Sequence, residues 1–215
     1  MSSRMNSKII ALLAGVALLP SLPALAANDL TKPAGKDWPA VGGGWTNNRF
    51  STLNQINATN VKQLGGAWIH QFEGEQSRAS PVVADGLMFI TAGAHVYAFN
   101  PATGEQVWAY KAEAAPSGMY KGVATGGGNV YVGLGNGHII ALNEKTGALV
   151  WTGIVGDDPP LKGQAIPAGP TYVNGMVITG MANGDYGLSG RIVGLDPVNF
   201  ARMELRDRKQ KTRLG

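Results

Sequence analysis

The chain has 215 residues, 44% hydrophobic and 15% charged, a composition that allows one packed domain. It has no cysteine, which excludes disulfides, thiolate metal centres, thiol nucleophiles and lipid attachment through cysteine. The formal charge of +4 resides wholly in residues 200–215, where six basic residues meet two acidic ones, so the body offers no basic face for nucleic acid.

Arg4 and Lys8 precede an apolar run over 9–19, too short to span a bilayer. Pro20 and Pro23 interrupt it, and Ala24-Leu25-Ala26 fits the small-x-small cleavage rule. The pattern predicts a signal peptide over 1–26, a mature start at Ala27, a periplasmic or secreted protein, and no membrane span after cleavage. Residues 27–66 read as an extended and loop segment. Within it Gly42, Gly43 and Gly44 cannot be the interior of a strand or helix, so Trp38, Trp45 and Phe50 are expected to anchor a structured loop. Leu53, Ile56, Val61 and Leu64 predict a short helical turn capped by Asn57 or Thr59, and residues 66–72 read as a strand.

Blade-like units follow over 67–199. The first has strands near 80–84, 86–91, 94–99 and 106–111, with Asp85-Gly86 as a hairpin turn. The second has strands near 121–125, 129–133, 138–142 and 148–154. The third has strands near 169–173, 176–180 and 190–195, with Asn174-Gly175 as its first turn. A repeat ties them together. Ala98 and Ala141, Asn100 and Asn143, Thr103 and Thr146, Gly104 and Gly147, Trp108 and Trp151 are each 43 residues apart. A period of this size belongs to propellers and solenoids. Four short antiparallel strands per period make the blade of a β-propeller. Each Trp has a large apolar surface and one N–H to place, and is expected to fasten one sheet to the next.

A third copy restarts at Val193-Gly194-Leu195-Asp196, and Leu195 lies 53 residues after Leu142, so about ten residues are inserted before it. The expected Gly turn and Trp do not follow. The run 200–215 is basic and without pattern, and reads as an aberrant tail. The expectation is an all-β, partial propeller of about three blades, cut short, marginally folded and prone to aggregate, because a propeller hides its edges by closing its ring.

These residues resemble the quinoprotein alcohol dehydrogenases, eight-bladed periplasmic propellers that bind pyrroloquinoline quinone (PQQ) and calcium. The resemblance rests on Trp38, Gly43, Arg49-Phe50-Ser51, Leu53 and Gln55-Ile56, on the Ala-x-Asn-x-x-Thr-Gly-x-x-x-Trp repeats, on Ser80-Pro81-Val82-Val83-x-Asp85-Gly86, and on the glycine-rich stretch 180–190. It covers about 38–199. It implies that Ala182, Asn183 and Gly184 set small side chains and backbone N–H groups against the quinone carboxylates. It implies that Asp185 ligates Ca²⁺, a hard cation that prefers oxygen. Lys121 stands where the family usually has Arg, a point charge in place of a fork. Arg78 stands where many members have Glu, Pro167 where a Thr is expected, and the adjacent cysteines that often cap the quinone are missing near 118–120. His70, His95 and His138 stand singly and are read as structural or exposed.

The resemblance further implies oxidation of a small alcohol to a carbonyl, with electrons passed to a periplasmic acceptor. The family's catalytic Asp lies in a later blade, so no catalytic residue is assigned here and this chain alone is expected not to turn over. The alternative is a non-enzymatic propeller scaffold of the outer-membrane assembly type. Those are typically anchored through a cysteine, and this chain has none.

Overall fold

In a computed structural model, residues 30–72, 76–113, 121–182 and 184–200 and the backbone of 202–203 are described. The expected signal peptide, Asn183, the stretch 118–120 and most of the basic tail lie outside the described residues. Three four-stranded antiparallel sheets follow one another along the chain. The first is β1 (Val82–Ala84), β2 (Leu87–Ala92), β3 (His95–Phe99) and β4 (Gln106–Lys111). The second is β5 (Ala124–Gly126), β6 (Asn129–Gly133), β7 (His138–Asn143) and β8 (Leu149–Ile154). The third is β9 (Thr171–Val173), β10 (Met176–Met181), β11 (Arg191–Leu195) and β12 (Arg202–Met203). In each, strand order follows chain order, and the first strands approach one another, β1 to β5 and β5 to β9. This is the radial arrangement of propeller blades, as the 43-residue period predicts.

Side-chain alternation shows why the sheets stack. Val130, Val132, Ile140 and Leu142 of the second sheet meet Val82, Phe89, Val96 and Trp108 of the first. The intervening Tyr131, Ile139 and Ala141 belong to a second core with Val177, Met181 and Leu195 of the third. Successive strand residues point to opposite faces, so the middle sheet feeds two cores and its strands β6 and β7 are buried nearly throughout.

The indoles latch the stack. Trp108 Nε1–H donates to the Glu144 carbonyl at 3.0 Å, and Trp151 Nε1–H donates to the Pro197 carbonyl at 2.9 Å. Each acceptor follows the Asn or Asp that opens the turn of the next sheet. Asn143 Oδ1 accepts from the N–H groups of Lys145 and Thr146, and Asp196 Oδ1 from those of Val198 and Asn199. Gly147 (φ 71°) closes its turn with no Cβ, and a Cβ there would lie 2.7 Å from the Trp108 ring. A bulge at the same place in both repeats, at Ala98/Phe99 and Ala141/Leu142, turns the strand just before each Trp.

Four expectations change. Residues 66–72 form no strand; Trp68 instead acts as a further latch, its Nε1–H on the Pro101 carbonyl at 3.0 Å and its ring over Gly104. That segment is held by rings, His70 on Phe99 (4.6 Å) and Phe72 on Tyr97 (5.1 Å), rather than by ladder hydrogen bonds. Second, the third copy does not stop at Asn199. Phe200 takes the position of the turn glycine at φ 61°, its N–H bonds the Asp196 carbonyl (3.1 Å), and β12 pairs with β11 inside the stretch read as tail. The Phe200 ring rests on Trp151 at 5.4 Å, over Gly153, where any Cβ would overlap it. Third, the helical turn is a single 3-10 turn over Val61–Gln63 whose N-cap is Asn60, without a side-chain cap bond. Fourth, of the loop aromatics only Trp38 is an anchor: it exchanges backbone hydrogen bonds with Val83 (2.7 and 3.0 Å) and covers Gly43, whereas Trp45 and Phe50 are exposed.

Candidate functional site

The insertion that delays the third repeat is a loop on β10–β11. It leaves the ladder at Met181 and returns at Arg191, which are cross-strand partners. One 3-10 turn, Gly184–Tyr186, forms its tip, closed by Gly187 N–H on the Gly184 carbonyl at 2.9 Å. Asp185 and Gly184 are exposed, and a Cβ at Gly184 would meet nothing within 4 Å, so the backbone is open to a flat ligand there.

Segment 165–167 joins the predicted residues. The Ala182 N–H donates to the Ala165 carbonyl at 3.0 Å, and the Lys121 N–H donates to the Pro167 carbonyl at 3.2 Å. Lys121 and the base of the loop are thus hung from the same three residues, although they are 61 positions apart in the chain. Arg78 is the repeat equivalent of Lys121, 43 residues earlier, and both are exposed just ahead of the first strand of a sheet. Pro167 occupies the corresponding place before β9. Three first strands therefore present their leading ends at one end of the stack, two of them bearing a cation.

The metal expectation finds less support in the donor set. Among the described residues no group of three His, Asp or Glu side chains gathers, at Asp185 or elsewhere. Calcium takes six to eight oxygens, and one carboxylate supplies at most two. An exposed cation and an open glycine are residue types that suit an anionic edge, whereas the described residues do not by themselves fit a calcium ion. A separate cavity of about 220 Å³ lies between the loop 39–47 and strands β5 and β9; it includes Thr125 and Tyr172 and none of Lys121, Ala182, Gly184 or Asp185. Of the histidines, His70 sits among aromatic rings, His95 lies 5.6 Å from Tyr97, and His138 Nε2 is buried.

One set of residues escaped the sequence reading. Asp157 lies between the second and third blade-like units, where the sequence predicts no site, yet it accepts a 2.7 Å bond from Arg191 Nη2 and a short bond from Gln164 Nε2. Gln164 is 2% exposed and its Oε1 accepts from the Asp157 N–H at 3.2 Å. No motif marks three polar residues spread over 157–191.

Residues 38–131 match the family model described as PQQ: glucose/ethanol/alcohol dehydrogenase, beta-propeller domain. The quinohemoprotein alcohol dehydrogenase of Comamonas testosteroni is 37% identical over 174 residues, covering 74% of this chain and 24% of that protein. The quinoprotein alcohol dehydrogenase PedH of Pseudomonas putida is 36% identical over 161 residues, covering 70% of this chain and 27% of that protein. This chain belongs to the quinoprotein alcohol dehydrogenase family. The crystal structure of the Comamonas testosteroni enzyme matches with a TM-score of 0.71 at 32% identity, over 83% of this chain and 28% of that one. This family member thus spans about a quarter of the length of the relatives it matches. No helix among its described residues is long and apolar enough to cross a membrane.

Proposed function

We propose that this chain supplies part of the quinone site of a PQQ-dependent enzyme that oxidises a small alcohol to a carbonyl. One observation carries the reading: Lys121 and the Ala182–Asp185 loop hang from the shared segment 165–167. The Lys121 ammonium pairs with a quinone carboxylate as a point charge, and exposed Arg78 adds a second cation at the same end. Of the stretch Ala182, Asn183 and Gly184, the exposed Gly184 leaves the approach free of bulk, so that an anion can come close to the backbone there. The chemistry that PQQ would supply when bound is acceptance of hydride from the alcohol carbon. Asp185 would give one carboxylate to a Ca²⁺ ion, a ligand set that the described residues do not complete. No described residue is assigned as the base. Relatives named as quinohemoproteins, and one named 1-butanol dehydrogenase (cytochrome c), support a cytochrome as electron acceptor. Residues 1–26 direct export to the periplasm or the medium, and N-terminal sequencing of a mature protein beginning at Ala27 would check their cleavage.

The test is titration of the chain with PQQ, with and without Ca²⁺, followed by tryptophan fluorescence. Saturable quenching is expected. Lys121→Met should weaken binding about tenfold, the effect of one lost charge pair. Asp185→Ala should remove the calcium dependence alone. Absence of saturable binding would overturn the reading in favour of a scaffold.

A further inference from the structure

The 182–190 loop is too small to hold its own shape. It has one 3-10 turn, no buried residue in that turn, and a largely exposed Tyr186. Its geometry comes from outside, from the loop that connects the second sheet to the third. Among the described residues, contacts at three places join the two. Ala182 N–H bonds the Ala165 carbonyl at 3.0 Å. The Tyr186 ring lies over Gly163, where a Cβ would sit 3.3 Å from Cγ. Arg191 Nη2 bonds Asp157 Oδ1 at 2.7 Å.

The third contact has a built base. Asp157 spends its other carboxylate oxygen on Gln164 Nε2, and Gln164 returns its Oε1 to the Asp157 N–H. The pair closes on itself, so the carboxylate that faces Arg191 has little freedom to turn. Gly156 is enclosed here: a Cβ on it would lie 2.5 Å from Gln164 Oε1 and 3.2 Å from Met181 Sδ. Met181 and Arg191 are the cross-strand pair at which the loop begins and ends. Asp157 therefore holds the Arg191 side of the loop's neck, its neighbour Gly156 lies beside Met181 on the other side, and Gln164 precedes the residue that holds Ala182.

We propose that Asp157, Gln164 and Arg191 form a clamp on the neck of the 182–190 loop, which makes Arg191 a positioning residue for the quinone site. This rests on the quinone reading given above. Arg191 acts through the backbone it holds, and its guanidinium is engaged by Asp157 rather than presented to ligand.

The experiment compares the full chain with Arg191→Gln, Asp157→Asn, the double variant and Arg191→Lys. Millisecond hydrogen exchange of 184–190 is read without cofactor, and PQQ affinity is read separately by fluorescence. Each single variant should speed exchange in 184–190 and weaken PQQ binding by about tenfold. The double variant should be no worse than the singles, since the two groups act as one contact. Arg191→Lys should recover part of both effects. Unchanged exchange in 184–190 for Arg191→Gln would overturn the clamp, as would an equal rise across all three sheets, which marks global loss of stability. If the unaltered chain fails to bind PQQ while Arg191→Gln still loosens only 184–190, the quinone reading falls and the clamp stands.

Discussion

Glu144 sits where two sheets meet, its carbonyl taken by the Trp108 indole and its side chain buried. Burial pushes its carboxyl above the usual range, the Asp85 carboxylate beside it pushes the same way, and Lys145 opposes both. Lys145 Nζ reaches Glu144 Oε1 at 3.5 Å and the Asp85 carbonyl at 3.2 Å, so one cation ties the first hairpin to the second sheet's turn. The folded protein therefore binds this proton more tightly than the unfolded chain does. The resulting stabilisation is complete below the ordinary carboxylate pKa and is lost as pH rises through the raised value. Above that value the chain buries a charge at a cost. Glu144→Gln should melt higher than the parent at neutral and mildly alkaline pH. The difference should shrink to nothing in acid, where both side chains are neutral. Melting temperatures across that range check it; a difference independent of pH would contradict the assignment.

At the scale of the element, the unit is a Trp on the fourth strand of one sheet and a tight turn on the next. Gly147 answers to two demands at once, a left-handed backbone and an indole face against it. Gly175 has the same φ of 71° but nothing within 4 Å of a Cβ. Gly175→Ala should then cost only the backbone penalty, about 1–2 kcal/mol. Gly147→Ala should cost roughly 2–5 kcal/mol, because overpacking against Trp108 adds to it. Urea unfolding of the two variants separates the contributions, and equal losses would show that the indole yields freely. Phe200 makes the comparison instructive. It accepts the left-handed backbone that Gly147 avoids straining, and gains a ring contact with Trp151 over Gly153. The third turn thus keeps its shape with a different residue, by moving the crowded position from the turn to the strand beneath it.

At the scale of the whole molecule, the two cores are closed and the flanks are not. The face of the third sheet turned away from the second bears half-buried Met176 and Ile178 and the 74% exposed Ile192. Elsewhere Ile69 is 95% exposed, and Trp45, Phe50 and Leu53 are exposed as well. Apolar patches of this kind on a sheet stack favour association. The chain should show concentration-dependent self-association by light scattering after gel filtration. Ile192→Ser should lessen it while changing stability by no more than about 0.5 kcal/mol, as expected of an exposed position. A monodisperse monomer at all concentrations would contradict this.

The sequence by itself determined the repeat and hence the architecture. Asn, Thr, Gly and Trp at fixed spacing specify a turn and a latch through contacts within a few residues, and such local chemistry is written in order along the chain. The insertion before the third copy is visible too, as a break in the period, whereas Lys121 and the 182–185 stretch are marked only by the family resemblance. Only the tertiary structure decided what joins them. The shared segment 165–167, the Trp68 latch, the continuation through Phe200 into β12 and the Asp157–Gln164–Arg191 clamp all depend on partners with no common spacing. Their energies arise only after the sheets have stacked and distant backbone groups, no longer free to bond water, must find one another.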